Sequence, residues 1–223
     1  MDCVPLHLIE YFEHAGTKYR YPAGATLYIQ GDSAPTIYFI RRGRVRMFYI
    51  GDNGKEITFQ IIGEGQLIGA SAFLSHASRE TTVLAVNEVE VISCKFANLI
   101  PYMQESKELN QLLLTLLTVN YGNLCNQLKR LTVYNSTQRV ASYLLDHTSV
   151  SREELGIIDD TLPYTHEELG ICLNLNRVTV TRILNRFAKE GWVKLSQKKI
   201  KILNRTALQS LLELPQQKAN YYR

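Results

Sequence analysis

Glycine-bearing turns over residues 21–96 constrain the fold of this 223-residue chain more than any other feature. They interrupt short apolar segments roughly every 8 to 12 residues, a spacing typical of an all-β sandwich or barrel. The turn glycines are Gly24, Gly31, Gly43, Gly51, Gly54, Gly63, Gly65 and Gly69. The segments between them, such as 36–40, 45–50, 57–62 and 89–92, are rich in β-branched and aromatic residues. The sequence therefore predicts an antiparallel β domain in the N-terminal half.

The composition is that of an ordinary globular protein. Hydrophobic residues make up 45% of the chain and charged residues 21%, which allows a core and shows none of the bias of disordered or fibrous chains. No apolar run approaches the roughly 20 residues of a membrane span. The N-terminus has neither the basic start nor the apolar centre of a signal peptide. We expect a cytoplasmic protein that has no membrane partner.

The four cysteines, Cys3, Cys94, Cys125 and Cys172, lie far apart in the sequence. None of them forms a Cys-x-x-Cys pair or a Cys/His cluster with metal-ligand spacing. We therefore predict no bound metal and no disulfide framework, and we expect buried or half-buried free thiols. A redox-sensing thiol at Cys3 or Cys125 is the alternative.

Residues 105–131 predict one long helix, because they contain no proline and carry an apolar seam at spacings of three and four. The seam consists of Leu109, Leu113, Leu117, Asn120, Leu124, Leu128 and Leu131. A leucine seam broken by one asparagine is typical of a dimerisation helix, in which a buried polar residue sets the register. We predict a homodimer; the alternative is a helix that packs only on its own domain.

Short helices are predicted after this long one. Ser136 is the predicted cap of a helix through residues 139–144, and the polar stretch 148–160 is a predicted loop. Thr165 and Glu168 have the spacing of a capping box at the start of the next helix. The pattern indicates an all-α or winged-helix C-terminal domain.

The spacing after Thr165 fits a helix-turn-helix with His166 as its first position. The fifth position must be small because the two helices cross there, and it is Gly170. The ninth lies in the turn and must tolerate a left-handed backbone, which Asn174 does. Val180 and Ile183 occupy the fifteenth and eighteenth positions, where they pack on the first helix.

A second helix is predicted from residue 177, with Asn176 as its N-cap. Its predicted buried face consists of Val180, Ile183, Leu184 and Phe187. The opposite face carries Arg177, Val178, Thr181 and Arg182 near the N-terminal end, which enters the major groove in helix-turn-helix proteins. Two alternating segments, 191–195 and 199–203, flank a tight turn at 196–198 and predict a wing.

Positive charge is concentrated in the C-terminal part. Residues 129–223 contain 15 Lys and Arg against 9 Asp and Glu, whereas residues 1–128 contain 10 against 12. Such a basic surface is typical of a protein that binds a polyanion, and we predict double-stranded DNA. The predicted DNA-binding residues are Thr165, Asn176, Arg177, Val178, Thr179, Thr181, Arg182, Arg186, Lys198 and Lys199.

Two other classes of function compete with DNA binding. A signalling module that contacts another protein is the alternative, although it does not explain the basic helix face and the wing. An enzyme is not expected, because no nucleophile with its base, P-loop or metal set is assembled in the sequence.

With these motifs the chain resembles the CRP/FNR family of bacterial transcription regulators. The resemblance rests on Gly43-Arg44-Val45, on the glycines of segment 65–69, on the leucine-rich helix and on segment 169–184. It implies an α+β chain: an effector-sensing antiparallel β-roll of the jelly-roll, cyclic-nucleotide-binding-like type (1–104), a dimerisation helix (105–132) and a winged helix-turn-helix domain (133–223). It also implies a homodimer that binds a palindromic promoter site, with RNA polymerase as a further partner.

The sequence departs from the cyclic-AMP-binding members of this family. Those members carry a Gly-Glu pair for the ribose, whereas here Gly69 is followed by Ala70. Arg79 stands in the place of the phosphate-binding arginine, but Glu80 follows it. Hydroxyl residues that reach the purine from the dimer helix are replaced by Leu124 and Cys125. Several polar partners are therefore missing, at about 1 to 3 kcal/mol each, and we predict that the effector is not cyclic AMP.

We therefore expect a small organic effector between the β-roll and the dimer helix, either an aromatic or halogenated phenolic compound or a small organic acid. An effector-independent regulator is the alternative. The candidate effector-binding residues are Gly69, Ser71, Arg79, Thr81, Asn120, Tyr121, Leu124 and Cys125.

Two branches of the family share further segments with the chain. Regulators of halorespiration genes are similar at Tyr134-Asn135, at 178–180 and at Tyr221-Tyr222, although they carry a lysine where Asn120 stands. Nitrogen-control regulators share segment 177–182. The iron–sulfur branch needs an N-terminal cysteine cluster, where this chain has only Cys3. A haem ligand among the isolated histidines His7, His14 and His76 remains open.

Overall fold

The computed structural model describes residues 3–73, 78–148 and 161–213. The chain forms two compact units, residues 1–125 and 126–223. The three-part division predicted from the sequence, with boundaries after residues 104 and 132, is finer than these two units and stays a prediction.

The first unit combines two antiparallel sheets with helices. Its elements are α1 (Leu6–Ala15), β1 (Gly16–Tyr21), β2 (Thr26–Tyr28), β3 (Thr36–Arg42), β4 (Val45–Ile50), β5 (Glu56–Ile62), β6 (Leu67–Ile68), a short 3-10 helix (Ala70–Phe73), β7 (Thr82–Ala85), β8 (Val89–Lys95) and α2 (Phe96–Glu105). The strand orders are β1-β8-β3-β6 and β2-β7-β4-β5. The predicted β-roll is confirmed, whereas α1 and α2 were not predicted.

Strand β8 shows how the first unit builds its two cores. Val89 and Val91 belong to the core between the two sheets, whereas the alternate residues Ile92 and Cys94 pack in a second core with α1 and α2. Residues next to each other in a strand point to opposite faces, so the sheet that contains β8 is buried on both faces. This explains why apolar side chains point to both faces of β8, as those of Val91 and Ile92 do.

The long helix α3 (Lys107–Thr132) begins two residues later than predicted, because Glu105 ends α2. Leu109 and Leu113 are buried in the second core of the first unit, so their predicted place in a dimer seam is wrong. The apolar residues that α3 leaves exposed are Leu114, Leu117, Tyr121, Leu124 and Leu128. Periodicity showed the spacing of the leucines but not which of them pack on the chain's own β-roll.

The second unit contains the last turns of α3, then α4 (Ser136–Thr148), β9 (Thr161–Leu162), α5 (His166–Leu173), α6 (Arg177–Lys189), β10 (Val193–Ser196), β11 (Lys199–Ile202) and α7 (Arg205–Ser210). The strands form one antiparallel sheet in the order β10-β11-β9. This is a winged helix-turn-helix, as predicted. From residue 149 onwards the predicted loop lies outside the described residues, as does Tyr221-Tyr222.

The cap of α4 differs from the prediction. Asn135, not Ser136, caps the helix: its side-chain Oδ1 accepts from the backbone N–H of Gln138 at 3.0 Å. The side chain of Gln138 in turn accepts from the backbone N–H of Asn135 at 3.1 Å. Asparagine and serine are both good caps, and Asn135 has the reciprocal partner three residues on.

The cysteine prediction is half correct. Cys94 and Cys172 are buried, and burial raises the pKa of the Cys94 thiol to about 11. Cys3 and Cys125 are exposed, so the prediction is wrong for them. Cys125 lies on α3 next to Leu124, which is also exposed. No helix in the described parts of the chain is long and apolar enough to cross a membrane.

Candidate functional site

The helix-turn-helix begins with the predicted capping box. The Thr165 Oγ1 atom accepts from the backbone N–H of Glu168 at 3.1 Å, and the Glu168 carboxylate accepts from the backbone N–H of Thr165 at 2.7 Å. Because two of the otherwise unpaired donors at the helix start are thereby satisfied, α5 starts at a defined residue.

The turn between α5 and α6 has the predicted geometry. A Cβ atom on Gly170 would lie 2.7 Å from the carbonyl oxygen of Leu175, so only glycine fits at the crossing. Asn174 ends α5 in the left-handed conformation, with φ 52° and ψ 48°, which asparagine tolerates better than most residues. These two positions fix the path of the chain into α6.

Helix α6 buries one face and exposes the other. Asn176 caps it by accepting from the Thr179 backbone N–H at 2.7 Å. The buried residues are Val180, Ile183, Leu184 and Phe187, as predicted. On the other face Arg177, Arg182 and Arg186 are exposed, and Val178 is 77% exposed. Arg177 and Arg182 form no ion pair with any described residue, so their guanidinium groups are available to a ligand.

Thr181, one of the predicted DNA-binding residues, contacts helix α5. Its Oγ1 lies 2.9 Å from Nδ1 of His166, the first residue of α5, and the side chain is half-buried. The hydroxyl is thus occupied by a contact between α5 and α6 before any DNA is bound.

The wing adds two lysines to this surface. Strands β10 and β11 pair from Val193↔Ile202 to Ser196↔Lys199. Lys198 lies in the two-residue turn between them, with φ 55°. Lys198 and Lys199 are exposed and line an open cleft together with Thr165, His166 and Arg177. The structure therefore groups four of the predicted DNA-binding residues around the cleft, while Arg182 and Arg186 lie further along α6.

In the first unit, Arg79 lies at the centre of the candidate effector site. This side chain is buried, and its Nη2 atom donates to the Thr36 carbonyl oxygen at 2.6 Å. Its Nη1 atom donates to Ser71 Oγ at 3.3 Å and lies 3.5 Å from the Gly69 carbonyl oxygen. Gly69 has φ +90°, and a Cβ there would lie 2.8 Å from Nη1. Arg79 Nε has no hydrogen-bond partner among the described residues.

Sequence reasoning missed the aromatic wall of this site. The guanidinium carbon of Arg79 lies 4.2 Å from the centre of the Tyr28 ring and 5.6 Å from that of Tyr38. Burial raises the pKa of Tyr28 to about 12, so this phenol is neutral. Its hydroxyl forms a hydrogen bond with the side chain of Thr81. A tyrosine in a short strand gave no signal of a ligand site, because aromatic residues are common in strands.

The predicted effector residues on α3 are not part of this cluster. Asn120 is half-buried, and Tyr121, Leu124 and Cys125 are exposed. No contact between them and Arg79 is found within the described residues. The structure thus brings together four of the candidate effector residues, Gly69, Ser71, Arg79 and Thr81, with Thr81 joined to Arg79 through Tyr28. The other four candidates, on α3, are not part of this cluster.

The histidines named above as candidate haem ligands do not belong to any cluster of metal-ligating side chains in the described parts of the chain. There, no three or more His, Cys, Asp and Glu side chains converge on a point. His7 contacts Glu108, with 2.8 Å between Nε2 and Oε1. His76 lies outside the described residues.

Each of the two units matches a known protein-family model. Residues 18–106 match the family model of the cyclic nucleotide-binding domain, and residues 138–211 match that of the Crp-like helix-turn-helix domain. The cyclic AMP receptor protein of Thermus thermophilus is 26% identical over 191 residues, which is 86% of each chain.

Solved structures show the same fold. The structure of FixK2 from Bradyrhizobium japonicum has a TM-score of 0.73 at 18% identity and covers 88% of this chain and 96% of its own. The structure of CprK complexed with OCPA has a TM-score of 0.67 at 19% identity, and the match covers 94% of this chain and 96% of the CprK chain. The two matched domains together span most of the sequence, and the chain belongs to the CRP/FNR family of DNA-binding transcription regulators.

Proposed function

We propose that this chain is a homodimeric regulator that binds a palindromic DNA site and is gated by a small anionic effector other than cyclic AMP. The observation that carries DNA binding is the exposed face of α6, where Arg177, Val178 and Arg182 have no partner among the described residues. Arginine can bond both O6 and N7 of guanine, and valine can contact only a thymine methyl group. This face therefore suits a specific major-groove contact.

The exposed stripe of α3 supports the homodimer. Leu114, Tyr121 and Leu128 are each seven residues apart, and so are Leu117 and Leu124. Together they form the a and d positions of a heptad repeat, which is the seam of a two-stranded coiled coil. An apolar stripe of this length is costly in water, so we assign a second copy of the chain as its cover. Tyr121, rather than the predicted Asn120, then supplies the polar group of the seam.

The surroundings of Arg79 support an anionic effector. Arg79 is 3% exposed, and no carboxylate among the described residues forms an ion pair with it. A buried cation without a counter-charge is strongly unfavourable, and the hydrogen bonds that Arg79 donates to oxygens of Thr36, Ser71 and Gly69 offset only part of that cost. A carboxylate, phenolate or phosphate group at Nε would complete the site.

Cyclic AMP does not fit the remaining residues. The relative from Thermus is named for cyclic AMP, but at 26% identity the ligand does not transfer with the fold. Ala70 offers no acceptor to a ribose hydroxyl, and Leu124 and Cys125 offer no hydroxyl to a purine. CprK, which has the same fold, is described with OCPA. We therefore propose a small organic acid or an acidic phenol.

A thermal-shift screen tests the effector. The probes are cyclic AMP, 2-oxoglutarate and a chlorinated hydroxyphenylacetate, on the wild type and on Arg79→Met. A ligand at one hundred times its Kd stabilises the folded chain by about 2.7 kcal/mol. We expect a non-nucleotide anion to raise the Tm of the wild type but not of Arg79→Met, and to change the affinity for duplex DNA. Arg42→Met, which removes an exposed cation of the same unit, should retain the shift.

Two results would contradict the proposal. Stabilisation by cyclic AMP that disappears in Arg79→Met would show that the nucleotide is the effector. Absence of salt-dependent binding to any duplex would show that the chain is not a DNA-binding regulator.

A further inference from the structure

His166 lies in the wall of the cleft between the helix-turn-helix and the wing. The cleft has a volume of about 440 Å³ and is lined by Tyr164, Thr165, His166, Glu167, Arg177, Ser196, Lys198, Lys199 and Ile200. One ring nitrogen, Nδ1, lies 2.9 Å from Thr181 Oγ1. The other, Nε2, makes no hydrogen bond with any described residue.

The charges around His166 favour an anion in the cleft. Arg177 faces the ring from α6, and Lys198 and Lys199 face the cleft from the wing. The acids come from α5: Glu167 lines the cleft, and Glu168 is held in the capping box by Thr165. Three cations therefore face one free carboxylate. Burial and the nearby Arg177 guanidinium lower the pKa of His166 from 6.5, so the ring is neutral at pH 7 in the free protein.

We propose that His166 takes up a proton when a DNA phosphate enters this cleft, so that the chain binds DNA more tightly as the pH falls. The inference rests on the proposed DNA-binding function and adds to it a residue and a pH dependence. The imidazolium ring donates from both nitrogens, through Nδ1 to Thr181 and through Nε2 to a phosphate oxygen. Proton and phosphate therefore bind cooperatively.

The direction follows from linkage. A phosphate near the ring raises the pKa of His166 in the complex above its value in the free protein. The gain in affinity is complete below the free-protein pKa, and it is lost as the pH rises through the pKa of the complex. Because the pKa of His166 in the free protein lies below 6.5, the affinity for DNA should change with pH over the range from neutral to mildly acidic.

Fluorescence anisotropy with a mixed-sequence duplex at low, constant ionic strength tests the proposal. We expect the wild-type Kd to decrease about threefold or more between pH 8 and pH 6. His166→Gln and His166→Asn, which place an amide near Nε2 and Nδ1 respectively, should bind with a Kd that does not respond to pH in this way. Circular dichroism melting curves show that the variants are folded.

Two further variants distinguish the protonation of His166 from its structural contact with Thr181. His14→Gln removes an exposed histidine of the first unit and should keep the full pH response. Thr181→Val removes the contact to Nδ1 but leaves a titrating ring, so it should bind more weakly and still respond to pH.

A wild-type Kd that is constant with pH, or a response that persists unchanged in His166→Gln and His166→Asn, overturns this inference and leaves DNA binding standing. Absence of binding to the duplex at every pH overturns the proposed function itself.

Discussion

The imidazole ring of His147 stacks on the phenol ring of Tyr143, with 3.8 Å between the ring centroids and 15° between the planes. Nδ1 of His147 lies 3.0 Å from the Tyr143 carbonyl oxygen, and the ring of Tyr164 packs edge-on against Tyr143. Burial, and then the charge of Arg130, lower the pKa of His147 to about 3. The folded second unit therefore holds this histidine neutral.

Stability should fall in mildly acidic solution for this reason. The unfolded chain protonates His147 near pH 6.5, but the folded chain does so only near pH 3, so the unfolded state binds more protons in between. The free energy of unfolding should decrease by at most about 1.4 kcal/mol per pH unit below pH 6.5. Urea unfolding between pH 5.5 and pH 7.5, followed by the fluorescence of Trp192, the single tryptophan, measures it.

The control for this prediction is His147→Phe, which keeps an aromatic ring on Tyr143 but cannot titrate. Its unfolding free energy should depend less on pH, with the remaining slope due to His166. Equal slopes in the wild type and in His147→Phe would contradict the assignment.

A methyl group at the helix crossing should destabilise the second unit. In Gly170→Ala the new Cβ would lie 2.7 Å from the Leu175 carbonyl oxygen, which is backbone and cannot rotate away. We expect a loss of about 1 to 3 kcal/mol, read from the same tryptophan signal. Asn174→Gly, which relieves a left-handed residue in the same turn, should be neutral or stabilising by up to about 1 kcal/mol. A stable Gly170→Ala would show that the two helices cross elsewhere.

Charges placed in the exposed stripe of α3 should prevent formation of the proposed dimer. Leu117→Asp combined with Leu124→Asp introduces two carboxylates at d positions of the proposed seam. In the dimer these carboxylates would face and repel the same carboxylates of the second helix. Sedimentation should show monomers that no longer bind a palindromic duplex. Thr115→Asp combined with Asn126→Asp adds the same charge away from the seam and should leave a dimer. A dimeric Leu117/Leu124 variant would contradict this interface.

Two basic residues should affect DNA binding in different ways. Arg182→Ala should remove the proposed major-groove contact, cost about 1 to 3 kcal/mol of binding free energy and relax specificity at one base pair. Lys199→Ala on the wing should remove a proposed phosphate contact, weaken binding to all sequences alike and reduce the salt slope by about one. Anisotropy titrations over a salt series, with matched and mutated sites, distinguish the two. A Lys199→Ala variant with changed sequence preference would contradict this division.

Local chemistry made the helix-turn-helix predictable from the sequence. The capping box of Thr165, the small residue at Gly170 and the left-handed Asn174 each depend on neighbours within a few positions, and all three are confirmed. The wing was predictable for the same reason, because alternation and a short turn indicate a hairpin.

Features that depend on tertiary packing were not predictable in this way. Leu109 and Leu117 have the same spacing in the seam, but the first is covered by the β-roll and the second is exposed. Tyr28 meets Arg79 only because β2 pairs with β7, across more than fifty residues of chain. The choice between Asn135 and Ser136 as the cap was decided by Gln138, whose side chain reaches Asn135.

Selection of binding sites from a random duplex library tests the central claim most directly. Val178 is exposed and has no group that can hydrogen-bond to a base, so a G·C pair at that position gains nothing, while the nearby arginines still favour one guanine. We expect a palindrome of half-sites such as G-T-A or T-T-A-A, flanked by A·T pairs, with centres about one helical turn apart. A G·C-rich motif, a motif without two-fold symmetry, or no enrichment at all would contradict the account.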